Sequence, residues 1–378
     1  MDSSISSVES YASPGIPPHV QIVNRNNHFK LIRVLAAIGV LCSHSFAVTG
    51  QAEPTFGGMT IGYFSVCIFF SISGFLITKS WLRLQNVRSY VCNRFLRIFP
   101  GLWGAVLFTA LFIGPAATTF TLSKYFHSPS LYVYLAGNCS LLRVVHRLPG
   151  LFEDLANKSA NGSLWTLPYE ILCYGIIAVL GVFAKKSKNR FLGLLAGTFL
   201  CSILAVFLEI RSANHQVNHF LFTLSVSIKL FGPFFPYFLS GALVCMLPTI
   251  CTRYTGAIIL AVAMLFVTGW RGMSTLVFPF LLPYALIGVS HFPNPLLARY
   301  NRFGDYSYGI YLYAFPIQQI IALSIKECTP AINFLLAFPV VIALAIISWH
   351  LIEARAVTTV LNQKSGHQNS VSRTVEAV

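Results

Sequence analysis

Eleven residues separate Arg33 from His44 in the apolar run LIRVLAAIGVLCSH (31–44). In an α-helix that spacing returns to nearly the same face after a rise of about 16 Å. A membrane helix here would hold a guanidinium at one mouth and an imidazole on the same stripe, past the midplane. Ionisable groups at that depth default to functional use. An imidazole could take a proton from a hydroxyl or carry an acyl group itself; Ser43 and Ser45 flank it. The plainer reading is a buried histidine hydrogen-bonded to a neighbouring helix. A second group, NRFLRIFP (93–100), sets Arg94 and Arg97 three apart on one face just ahead of an apolar span. Paired guanidinium forks suit phosphate; ordinary anchoring or lipid headgroup contact is the alternative. A third, WTLPYE (165–170), puts Glu170 at the start of another apolar run. A buried carboxylate there needs a partner or becomes neutral, and a purely structural carboxylate is the alternative. Glu209 and Glu353 fall at span ends and read as interfacial, Asp305 reads as a helix cap, and Ser73-Gly74 reads as close helix packing.

The elements that must position these groups follow from composition. Of 378 residues, 55% are hydrophobic and 10% charged, with a mean hydropathy of +0.68. Soluble domains carry about 25% charged residues, so disorder and an ordinary cytosolic enzyme are excluded. The expectation is an all-α polytopic membrane bundle of about ten transmembrane helices, each needing about 20 apolar residues. The spans are read at about 31–49, 61–81, 99–118, 163–184, 191–210, 220–247, 256–270, 273–290, 304–325 and 331–352. Residues 28–355 then form one membrane domain. Residues 1–27, Ser- and Pro-rich with no early apolar core, and 356–378 read as disordered cytoplasmic tails.

Charge sets the orientation. The formal net charge is +15, from 26 Lys and Arg against 11 Asp and Glu. With both termini inside, eighteen Lys and Arg fall in cytoplasmic segments and seven outside, which favours N-in and C-in. The same bias explains the basic character without nucleic acid. The longest loop, about 119–162, faces outward and carries apolar stretches expected to pack on the outer face, with N-x-S sequons at Asn138, Asn157 and Asn161. Nine scattered cysteines with no C-x-x-C pair indicate neither a metal site nor a disulfide framework.

Taken in order, these segments resemble the acyltransferase-3 family of integral membrane acyltransferases. The Arg33-to-His44 helix matches the family's first helix. FFSISGFLI (69–77), NRFLRIFPGLW (93–103), NGSLWTLPYE (161–170) and FGDYSYGIYLYAFPIQQ (303–319) match four later signatures, and the resemblance runs from about 28 to 355. It departs from the common pattern where Lys30 replaces an Asp ahead of the first-helix arginine, where Cys67 replaces an Asp ahead of the Phe-Phe pair, and where Ala314 replaces a His. The resemblance implies an O-acyltransferase that moves acetyl from acetyl-CoA, with no metal, to extracytoplasmic carbohydrate such as O-antigen, exopolysaccharide or lipid-linked glycan. It implies His44 as the catalytic histidine, Arg94 and Arg97, with Arg33, on the CoA phosphates, and Glu170 in the acceptor pocket. The bacterial inner membrane would be its place.

The physical logic agrees. Acetyl-CoA is cytoplasmic and cannot cross a bilayer, while a polysaccharide finished outside cannot reach it. Arginine forks inside and a histidine farther out could bridge the two. A transporter or flippase is the competing class, since Gly- and Pro-interrupted spans such as GPFFP (232–236) also suit transport.

Overall fold

A computed structural model describes residues 28–56, 58–214, 233–246, 259, 274–290, 300 and 303–356. The chain is a multi-pass membrane protein, and its described residues are mostly helical. Among the described residues, six helical stretches are long and apolar enough to cross a membrane: Phe29–Val48, Ile61–Leu84, Val87–Ala117, Leu164–Phe183, Lys188–Phe207 and Pro330–Ala356. Most of the spans read at about 256–270 and 220–247 lies outside the described residues, as do the tails at 1–27 and 357–378 and the side chain of Glu209.

Helix α1 (Phe29–Val48) carries Arg33 and His44 and leads into a hairpin of two-residue strands, β1 (Thr55–Phe56) and β2 (Met59–Thr60), in antiparallel register Thr55↔Thr60. Helix α2 (Ile61–Leu84) starts at Thr60, whose hydroxyl accepts from the Tyr63 amide at 3.1 Å. It ends on Gln85 in the left-handed region (φ 46°). Asn86 then caps helix α3 (Val87–Phe108), accepting from the Ser89 amide at 2.9 Å. A two-residue connection between helices makes them antiparallel neighbours.

Helix α3 corrects the sequence reading. The span is read from its apolar run, which begins near position 99. The Asn86 cap instead starts the helix twelve residues earlier, and Pro100 sits in its interior. Helix α3 runs on through a π turn (Thr109–Ile113) to Ala117. Arg94 and Arg97 are therefore inside this helix rather than ahead of it.

The 119–162 segment is built, not loose. Short helices α4 (Leu122–Phe126) and α5 (Pro129–Ser140) bury Tyr125, Leu131 and Tyr134. The Tyr125 hydroxyl donates to the Ala110 carbonyl at 2.8 Å. Two sequon asparagines close this segment. The Asn138 amide donates to and accepts from the Val145 backbone (2.9 and 3.0 Å), and Asn161 donates to the Leu312 carbonyl at 3.0 Å. Both side chains are completely buried, so they serve as packing groups in the folded chain.

A 3₁₀ turn (Leu164–Thr166) and Pro168 open helix α6 (Leu167–Phe183), followed by α7 (Lys188–Asn214), α8 (Phe235–Met246) and α9 (Ser274–Ser290). Helix α10 (Ser307–Ser324) is buried continuously from Ser307 to Gln319, between α1 and α11 (Pro330–Ser348), which continues through a π turn at Trp349–Glu353. Lipid offers no hydrophobic drive for helix pairing, so small residues let backbones meet. A Cβ on Gly74 of α2 would lie 1.9 Å from the Phe238 carbonyl oxygen of α8, and one on Gly241 of α8 would lie 2.1 Å from that of Ser71. The close packing read at Gly74 is this crossing.

Candidate active site

A narrow cavity of about 80 Å³ opens between α1, α2, α3, α6 and α10. Its polar lining includes Arg33 of α1, Ser73 of α2, Arg94 and Arg97 of α3, Glu170 and Tyr174 of α6, and Ser307, Tyr308 and Tyr311 of α10, with Thr166 just ahead of α6. The structure thus gathers all three sequence-flagged arginines and Glu170, from segments that lie far apart in the chain. Arg94 and Arg97 share the cavity because the i, i+3 spacing keeps them on one helix face.

Two of the three guanidinium groups are already paired. Arg33 Nη1 lies 2.6 Å and Arg97 Nη2 2.7 Å from the same oxygen, Asp305 Oδ2, just ahead of α10. The Ser307 hydroxyl donates to the other oxygen, Oδ1, at 2.6 Å. Arg97 Nη1 also forms an ion pair with Glu353 Oε2 at 3.6 Å, while the Ser348 hydroxyl donates to Glu353 Oε1 at 3.1 Å. The Arg97 guanidinium lies 5.8 Å from the ring centres of both Tyr308 and Trp349. Arg94 differs. Among the described residues it has no ion pair, and its buried Nε has no hydrogen-bond partner. Glu170 meets hydroxyls rather than a cation: Ser73 donates to Oε1 at 3.4 Å and Tyr174 donates to the same oxygen in a short bond.

His44 is not among the residues lining this cavity. Its ring packs edge-on against Phe315 of α10, centroids 5.0 Å apart, and its buried Nδ1 has no hydrogen-bond partner. Among the described residues, no hydrogen bond joins its ring to a neighbouring helix. The α1 turn around it is fixed instead by Gln318, whose amide donates to the Leu41 carbonyl (2.8 Å) and to Ser45 Oγ (2.7 Å). Helix α10 connects the two places: Tyr311 lines the cavity, and Phe315, one turn further and about 6 Å along the axis, touches His44.

Sequence reasoning named Asp305 and Glu353 but gave neither its role in the site. Asp305 is an ion-pair partner, not a helix cap, because its carboxylate faces Arg33 and Arg97 and not the first amides of α10. Glu353 is 2% exposed, not interfacial, because the π turn at the end of α11 swings it onto Arg97. With 11 carboxylates in the whole chain, each one near an apolar span was the available signal. At the departures from the family pattern, Lys30 Nζ donates to the Phe303 carbonyl at 3.0 Å, and Cys67 and Ala314 are buried in the bundle.

Comparison with known proteins adds to this geometry. Residues 26–350 match the family described as Acyltransferase domain. An O-acetyl transferase of Shigella phage Sf6 is 30% identical over 344 residues, covering 89% of this chain and 97% of the relative. Nodulation protein 10 of Rhizobium leguminosarum bv. viciae is 24% identical over 367 residues, covering 90% of this chain and 95% of that protein. No solved structure matches the chain.

Proposed function

Because this chain belongs to the acyltransferase domain family and is an O-acetyltransferase, we propose that it carries acetyl from cytoplasmic acetyl-CoA to a hydroxyl of an exported or cell-surface glycan. It does so across a bacterial inner membrane, with about ten spans and both termini inside. The observation that carries this reading is α1. One helix holds Arg33 in the arginine-lined cavity and His44 eleven residues further along, so a donor anchored at one level can react at another.

In this reading Arg94, with no ion pair among the described residues, takes a CoA phosphate, supported by Arg33 and Arg97. The pantetheine arm runs along α10 past Tyr311 toward Phe315 and His44. The imidazole of His44 takes the proton of the acceptor hydroxyl as its oxygen attacks the thioester carbonyl. The C–S bond then breaks, the ester forms, and the proton passes to the departing CoA sulfur. Transient acetylation of the imidazole is the other route to the same products. Glu170 shapes the cavity through Ser73 and Tyr174.

The test is His44→Gln, which keeps size and hydrogen bonding but cannot take a proton at neutral pH. Acetyl content of the surface glycan is measured by mass spectrometry in a deletion strain. Loss of general-base help costs about 10²–10⁴ in rate, with expression and insertion unchanged. Near-parental acetylation by well-expressed His44→Gln would remove His44 from the chemistry.

A further inference from the structure

We infer that Asp305 is a positioning residue for the donor: it holds the Arg33 and Arg97 guanidinium groups at the cavity wall from behind. The inference rests on the reading of the arginine cavity as the donor site. Arg33, Arg97 and Ser307 line the cavity and Asp305 does not, yet all three of those side chains bond its carboxylate at 2.6–2.7 Å. One oxygen takes both guanidinium groups and the other takes the serine hydroxyl. The carboxylate therefore joins α1, α3 and the start of α10, and its side chain is only 11% exposed. The segment that carries it is held too, since Lys30 of α1 donates to the Phe303 carbonyl at 3.0 Å.

Without this anchor Arg33 would lose its ion pair and Arg97 would keep only the longer one to Glu353. An arginine fork recognises phosphate by geometry as well as charge, so fixing the fork in advance lowers the ordering cost of binding. Glu353 holds Arg97 from a second side at 3.6 Å, leaving Asp305 as the carboxylate common to Arg33 and Arg97. Arg94, with no such partner, supplies the charge that a donor meets unpaired.

The experiment compares Asp305→Asn, Asp305→Glu and Arg94→Ala in the full-length, detergent-purified enzyme, with acetyl-CoA varied. Asparagine removes the charge; glutamate keeps it but moves it by one methylene. Losing the charge-assisted bonds should raise the acetyl-CoA KM on the order of tenfold in both Asp305 variants, with kcat moving far less. A purely structural role would lower heat stability and leave KM at the parental value in whichever variant folds. If Asp305→Asn does not insert, Asp305→Glu decides. Parental KM in a folded Asp305 variant overturns the inference, and so does a lower KM, which would mean that the carboxylate competes with the donor. Raised KM in Arg94→Ala alongside parental KM in the Asp305 variants removes only the positioning role. Parental KM in Arg94→Ala removes the donor site, and the inference falls with it.

Discussion

Arg94 and Arg97 are three residues apart on one helix face, and truncating them should have opposite consequences. Arg97 is bonded at 2.7 Å to Asp305 and paired at 3.6 Å with Glu353, whose side chains are 11% and 2% exposed. In Arg97→Ala, Glu353 loses its ion-pair partner and Asp305 keeps Arg33 alone. Removing one partner of a buried ion pair costs about 3–5 kcal/mol, a large share of the roughly 5–15 kcal/mol that holds a typical domain folded. Arg94→Ala breaks no ion pair among the described residues and should leave stability within about 0.5 kcal/mol. Its effect falls on the ligand, where a charge-assisted hydrogen bond is worth about 1.5–3 kcal/mol. At 1.4 kcal/mol per decade that weakens donor binding roughly 10- to 100-fold. The assays are heat stability of the detergent-solubilised protein, followed by size-exclusion chromatography, and acetyl-CoA affinity by titration calorimetry. Arg97→Ala should lose the monodisperse peak at lower temperature; Arg94→Ala should keep it and bind acetyl-CoA weakly. Equal heat stability for the two variants, or parental affinity in Arg94→Ala, would refute the division of labour.

Two further outcomes are expected. Gly74→Ala should lower the melting temperature and the yield of folded protein, because its methyl would meet the Phe238 carbonyl oxygen at 1.9 Å and such overpacking costs about 1–3 kcal/mol. Gly175→Ala, with nothing within 4 Å of the added methyl, should be neutral or slightly stabilising, and similar losses in both would speak against the α2–α8 crossing. In a cysteine-free background, a membrane-impermeant thiol reagent applied to intact cells should label a cysteine at position 159 and not one at 187, and the reverse pattern would invert the proposed orientation.

Much of the site was legible because its signals are local. Helical spacing alone puts Arg33 and His44 on one stripe and Arg94 beside Arg97, and low charge with high hydropathy requires the bundle that carries them. The start of α3 was placed too late because the apolar run begins near position 99, while the helix itself begins at a side-chain cap on Asn86. Glu170 was flagged for burial, but its partners, Ser73 and Tyr174, are hydroxyls that carry no charge signal.

Residue types and spacing determined the membrane class, the family resemblance and most of the cavity's charged groups, since hydropathy and helix period act over a few turns. The tertiary structure decided which arginines are paired. Asp305 lies 272 residues from Arg33 and 208 from Arg97, and no local rule links them. Their meeting follows from α10 threading between α1 and α11 with its start beside α3, where a buried arginine and a buried carboxylate each need an opposite charge.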